Sequence, residues 1–358
     1  MVTIIKSKSK LYWLLVNAIM IVLMVSIGGI TRLTDSGLSM TEWSLIGGIL
    51  PPTNYDSWLL LFEKYKLSPE FQIKNYDMTL SEFKNIFFWE YFHRIWGRLI
   101  GVVFFVPFIL FWIFKRFSFF EKFFFSFLLF LGSFQAFMGW FMVKSGLIDK
   151  PDVSHFRLSA HLSIAFIIYS CILYFGWTKF RLFSGKGLLK NYDFYKSKYN
   201  LILLTSIILT ILTIISGAFV AGTKAGWAYN NFPLMGDNFL PPIFIDRDYS
   251  NFIDLLYDQG SIQFFHRILA TTTLIILLLG SVYIKRNVFF IGFLAKALIV
   301  ALSLQYLLGI LILKLYVPIP LGVMHQIGSL VVLSILITML AENNMKGAKF
   351  SCSLVKND

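Results

Sequence analysis

Cysteine is nearly absent from this chain: two of its 358 residues, Cys171 and Cys352, with no C-x-x-C pair. Cys171 falls in an apolar segment and Cys352 in the tail, so no structural disulfide is expected, and a thiolate zinc site lacks its ligands. Charge is scarce too. Only 14% of residues are charged and 57% are hydrophobic, whereas a soluble domain is charged at about a quarter of its positions. That balance excludes an ordinary soluble protein. The net charge of +13 marks no nucleic-acid partner, because Lys and Arg sit in short runs between apolar segments rather than on one face. The expected partner is a lipid bilayer. The first apolar stretch, about 11–31, is too long for a signal-peptide core and precedes no A-x-A-like cleavage site. It reads as a retained span. No Arg-rich amphipathic leader is visible either, which favours a bacterial inner membrane over a mitochondrial one.

What is present is a series of apolar windows of bilayer-crossing length, near 11–31, 89–114, 121–144, 156–178, 199–222, 262–284, 290–314 and 318–341. The expected fold is all-α: a polytopic membrane protein with eight transmembrane helices arranged as two pseudo-symmetric four-helix bundles. Lys and Arg concentrate at the N-terminus, between spans 2 and 3, 4 and 5, and 6 and 7, and in the tail. The alternate loops are acidic: residues 35–88 carry seven acids and four bases, and 223–262 carry five and two. The basic segments are retained on the cytoplasmic side, so both termini are expected there.

The halves repeat. "GGITRLTDSGLSMTEWSLIGGILPP" (28–52) is echoed by "SGAFVAGTKAGWAYNNFPLMGDNFLPP" (216–242), "WEYFHRIWGRLIG" (89–101) by "IQFFHRILATTTL" (262–274), "FQAFMGW" (134–140) by "LQYLLGI" (304–310), and "RLSAHLSIA" (157–165) by "LGVMHQIGS" (321–329). The period is about 165 to 190 residues, and both units start on the same side, so the repeat is parallel.

Of five histidines, four match across the repeat: His93 with His266, and His161 with His325. They are expected in the first turns of spans 2, 4, 6 and 8, all at the outer third of the membrane. Ionisable residues in a span are costly and mark function. Two facing histidines in a four-helix bundle suit an iron porphyrin held by axial imidazoles, whereas zinc needs three or four close ligands. Small residues follow each histidine by four: Gly97, Ala165, Ala270 and Ser329. They either admit a flat macrocycle or serve ordinary helix packing. Arg94, Arg98 and Arg267 lie where heme propionates would point; snorkelling anchors are the other reading. Glu90 precedes His93 by three residues, and its counterpart is Gln263. An acid beside a heme can move protons, or cap the helix. The first half therefore reads as chemical and the second as electron-carrying. His155 reads as loop surface. Gln135 and Gln305 bond across helices or touch the cofactors.

Seven motifs in order, "GGITRLTDSGLSMTEW", "EYFHRIWGRLIG", "FQAFMGW", "FRLSAHL", "FVAGTKAGWAYNNFPLM", "FFHRILA" and "HQIGSL", resemble the heme A synthase family over about residues 22–340. The resemblance implies oxidation of the C8 methyl of heme O to a formyl, through an alcohol (heme I) and a geminal diol, supplying heme A to cytochrome c oxidase. It implies a heme b held through His266 and His325, a substrate heme at His93 and His161, and a reactive acid at Glu90. It divides the chain into a substrate half (1–178), a basic cytoplasmic linker (179–198), a heme b half (199–345) and a cytoplasmic tail (346–358). Residues 35–88 contain no cysteine, so the chain resembles the class lacking a cysteine pair in the first outer loop. Expected partners are a heme O synthase, oxidase assembly proteins, an electron donor of unknown identity and a second copy of the chain. The rival readings are a bis-histidine transmembrane cytochrome b, which would stack its hemes across the membrane, and a non-enzymatic heme chaperone or exporter, which has no use for Glu90 opposite Gln263.

Overall fold

The structure, a computed structural model, describes residues 2–42, 48–147, 151–184, 196–246, 249–287 and 291–345. The tail 346–358 with Cys352, and linker residues 185–195, lie outside the described residues. Among those described the chain is helical, with one isolated β-bridge between Met235 and Asn238. The helices are α1 (Val2–Leu33), α2 (Tyr55–Lys66), α3 (Pro69–Lys74), α4 (Leu80–Ile113), α5 (Phe119–Gly146), α6 (His155–Phe183), α7 (Lys196–Thr223), α8 (Pro242–Ile245), α9 (Gln259–Asn287), α10 (Gly292–Lys314) and α11 (Ile319–Met345). Eight of them, all but α2, α3 and α8, are long and apolar enough to cross a membrane.

One boundary bears on the histidines and corrects the sequence reading. The second span does not begin near residue 89; α4 starts at Leu80. Thr79 caps it, accepting from the Glu82 amide, while Glu82 returns a bond to the Thr79 amide at 2.8 Å. The helix therefore runs beyond its apolar stretch. His93 consequently lies in the fourth turn of α4, not the first, and His161, His266 and His325 lie in the second turns of α6, α9 and α11. The extra length of α4 packs against α2 and α3. Phe62, Tyr65, Phe83 and Phe87 form a small separate core there, each 5% exposed or less.

In the first half, α1, α4, α5 and α6 close a ring of contacts; in the second, α7, α9, α10 and α11 do the same. The rings differ in one place. α9 and α10 pack closely, whereas their counterparts α4 and α5 meet only sparsely. The halves join where α1 and α6 pack on α7 and α11. Polar ties reinforce that seam. Arg32 donates to the carbonyls of Ala221 (3.0 Å) and Gly222 (2.8 Å), and Lys224 pairs with Asp35 at 2.7 Å. Asp35 and Lys224 occupy the same place in each half, just past α1 and α7, and both take the left-handed conformation, with φ of 51° and 58°. At the other end Arg181 of α6 holds Glu342 of α11 across the seam (2.7 Å), while Glu121 holds Lys10 (2.8 Å) and Lys179 (3.0 Å) among the first-half helices.

His155 is a second correction. It is not loop surface: it opens α6, is only 7% exposed, and packs edge-on against Phe219 and Tyr257 of the other half. Gly222 makes room for it, since a Cβ there would lie 2.5 Å from the His155 Cβ. Its role is in the seam.

Candidate functional site

The four repeat-matched histidines stand on α4, α6, α9 and α11, and each faces a glycine on another helix. A Cβ on Gly28 of α1 would lie 3.3 Å from His93 Nε2, and one on Gly139 of α5 would lie 3.3 Å from His161 Cε1. One on Gly217 of α7 would lie 3.2 Å from His266 Cε1, and one on Gly309 of α10 would lie 3.1 Å from His325 Cε1. Close-packed interiors leave little slack, so a side chain at any of these positions would displace an imidazole. The same pairing appears four times. Within each half the two histidines, His93 with His161 and His266 with His325, border the same cavity.

One continuous cavity of about 1270 Å³ reaches all four. It exceeds the roughly 300–1,000 Å³ of a pocket for one drug-sized ligand. Glu90, His93, Arg94, Arg98, His161, His266, Arg267 and His325 all line it, as do the small residues Gly97, Ala165, Ala270 and Ser329. Among the described residues, no three His, Cys, Asp or Glu side chains cluster as a site for a bare metal ion. Paired imidazoles in glycine-cradled, largely apolar surroundings fit a flat iron macrocycle instead.

Around this common plan the halves differ. In the second, His266 Nδ1 lies 2.8 Å from Ser216 Oγ, and that hydroxyl donates its own proton to the Thr213 carbonyl at 2.8 Å. With that proton given to Thr213, Ser216 accepts from a His266 protonated at Nδ1, the tautomer that leaves Nε2 as the free lone pair. The matching residue in the first half is Ile27, which offers no such bond.

Glu90 is buried, 3% exposed, and pairs with Arg94 at 2.5 Å. It accepts from Ser39 Oγ and the Met40 amide, both at 2.7 Å, and Arg94 donates to the carbonyls of Glu42 (2.9 Å) and Met40 (3.0 Å). The second half repeats this clamp without the charge. Arg267 donates to Gln263 Oε1 at 3.1 Å and to the Tyr229 and Leu234 carbonyls at 2.9 Å each. Gln263 donates to Ala225 (2.9 Å) and Tyr229 (3.1 Å). Arg94 and Arg267 thus fasten the loop that follows α1 or α7 in their half as well as facing the cavity. Of the two readings for the glutamines, Gln305 shows the cross-helix bond, donating from Nε2 to the His325 carbonyl at 2.9 Å.

Sequence reasoning found the histidines but missed Gly28, Gly217 and Ser216. Glycines recurring at matched places near the ends of α1 and α7 were the available signal; nothing in the sequence pointed to Ser216.

Eight apolar helices enclosing a cavity lined by two pairs of imidazoles define a multi-pass membrane protein built around a prosthetic group or a substrate of that size. The family model described as cytochrome oxidase assembly protein, COX15-CtaA, matches residues 11–337; the chain belongs to this family. It is similar to proteins named heme A synthase. That of Nitrosospira multiformis is 41% identical over 325 residues, covering 89% of this chain and 88% of that protein. That of Flavobacterium psychrophilum is 41% identical over 351 residues (92% and 96%), and that of Rickettsia prowazekii 40% over 338 (91% and 95%).

Proposed function

We propose that this chain is an enzyme of heme A biosynthesis that oxidises the C8 methyl of heme O, through the alcohol heme I and a geminal diol that loses water, to the formyl of heme A, a four-electron oxidation whose electrons pass to dioxygen or another acceptor supplied from outside the chain. The first half receives the substrate heme between His93 and His161. The second holds a resident heme b between His266 and His325, which supplies a one-electron centre when bound. The observation that carries this reading is the fourfold histidine–glycine cradle around one cavity, with an acid in one half only.

The side chains divide the work. Ser216 holds His266 in the tautomer that offers Nε2. The ring of His93 lacks such a hold, which suits a site that must release its occupant. Glu90, with Arg94, Ser39 and Met40 around it, can hold a proton at the cavity wall; Gln263 cannot. Arg98, Arg94 and Arg267 supply positive charge for propionates. We place both termini on the cytoplasmic side from the distribution of Lys and Arg, and assign the chain to the class without the outer-loop cysteine pair because residues 35–88 hold none. A bacterial inner membrane, and partnership with a heme O synthase, oxidase assembly proteins, an electron donor and a second copy, belong to the same proposal.

The test is pigment extraction from protein purified out of a host that makes heme O. Heme A or heme I beside heme B is the expected result. Heme B alone, with heme O and reductant supplied, would leave an electron carrier or chaperone.

A further inference from the structure

Three positions on the cavity wall are emptied in the first half and filled in the second. Gly101 on α4 corresponds to Leu274 on α9; Gly132 and Ala136 on α5 correspond to Leu302 and Tyr306 on α10. All six line the cavity. A Cβ on Gly101 or Gly132 would meet nothing within 4 Å, so both glycines border open space. Their counterparts close that space: Leu302 is 5% exposed, Leu274 packs on the same core, and the Tyr306 hydroxyl bonds Thr271 at 2.9 Å. The helices follow the side chains, with α4 and α5 set apart and α9 and α10 packed together.

The gap is therefore an apolar extension of the first site, continuous with the histidine-lined cavity and absent from the second. Resting on the function proposed above, the two hemes differ in one relevant respect: heme O carries a hydroxyethylfarnesyl chain where heme b has a short vinyl group. Burying an isoprenoid chain is favourable at about 0.8 kcal/mol per CH₂, and only one half has the room. We infer that the gap between α4 and α5, bordered by Gly101, Gly132 and Ala136, binds the isoprenoid tail of the substrate heme, and that Leu274, Leu302 and Tyr306 exclude a tailed heme from the second half. Selection between the two sites then resides in wall volume, while the imidazole pairs hold either macrocycle. The opening faces the lipid side of the first ring, where Phe134 and Phe137 are 41% and 50% exposed, so a lipid-dissolved tail can enter it sideways.

The test fills the gap with the second half's own side chains. Full-length wild type and Gly101→Leu/Gly132→Leu are purified from cells lacking heme O and titrated in detergent with heme O or with protoheme. Wild type takes up both beyond its resident heme b. The filled variant keeps its heme b and still takes protoheme at the first site, but its affinity for heme O falls at least about tenfold. Should the double variant lose heme b, the series Gly132→Ala, Gly132→Val and Ala136→Tyr replaces it, with the heme O to protoheme preference dropping as the side chain grows. Equal heme O binding by wild type and every filled variant, while wild type converts heme O, would overturn the tail site alone. A wild type that takes up no heme O removes the underlying function and the tail site with it.

Discussion

At the residue scale, the matched pairs are built-in controls. Gln263 shows that an amide can occupy the Glu90 position and keep both the arginine contact and the loop bonds. Glu90→Gln is thus expected to leave the fold and heme b intact and to lower formyl product by about 10²-fold, the low end for loss of a proton-transferring group. Pigment analysis of the variant checks it; undiminished heme A would show that the Glu90 carboxylate does no chemistry. His266→Ala should strip the resident heme b, seen as loss of its absorbance. Ser216→Ala should weaken heme b retention by about 10- to 100-fold, as expected for an outer partner of a ligating imidazole, while His93-side binding stays put. If Ser216→Ala holds heme b as tightly as wild type, the tautomer argument fails. The histidines were legible because charge in a span is costly and repetition multiplies the signal. Ser216 was not, because a serine in an apolar helix commonly bonds its own backbone and advertises nothing.

At the element scale, hydropathy located all eight spans but misplaced the start of α4, since a helix that continues past the membrane keeps its hydrogen bonds and loses only its greasiness. The capping box Thr79–Glu82 was the readable sign. The small α2–α3 domain that this extension supports has its own titrating group. Glu70 is 4% exposed, accepts from Tyr65 Oη at 3.0 Å, and has its pKa pushed up to about 7, chiefly by burial and further by the nearby Glu90 and Asp35, against the opposing pull of the Tyr65 bond and Lys74. The folded form thus keeps a proton that the unfolded form gives up near 4.5. Stability contributed here is complete below that value and declines as pH rises through about 7, by on the order of 3 kcal/mol at 1.36 kcal/mol per unit. Glu70→Gln should flatten the decline, measured as protease cleavage within residues 55–79 across pH 4.5–8. Parallel pH profiles for wild type and variant would discard it.

At the scale of the whole molecule, the sequence repeat announced two related halves, but not how they meet: His155 looked like surface because its burial depends on Phe219 and Tyr257 from the far half. The seam also carries the pair Asp35–Lys224. Reversing one charge, with Asp35→Lys, should weaken the joint, and Asp35→Lys/Lys224→Asp should restore it, read from whether separately expressed halves co-purify; if the double reversal is no better than the single, the pair does not steer assembly. The positions are equivalent by repeat, yet opposite in sign. Two identical first halves meeting the same way would set Asp against Asp, and two second halves Lys against Lys. At this contact the joint favours unlike halves over duplicates of either side, because each duplicate pairing would bring like charges together.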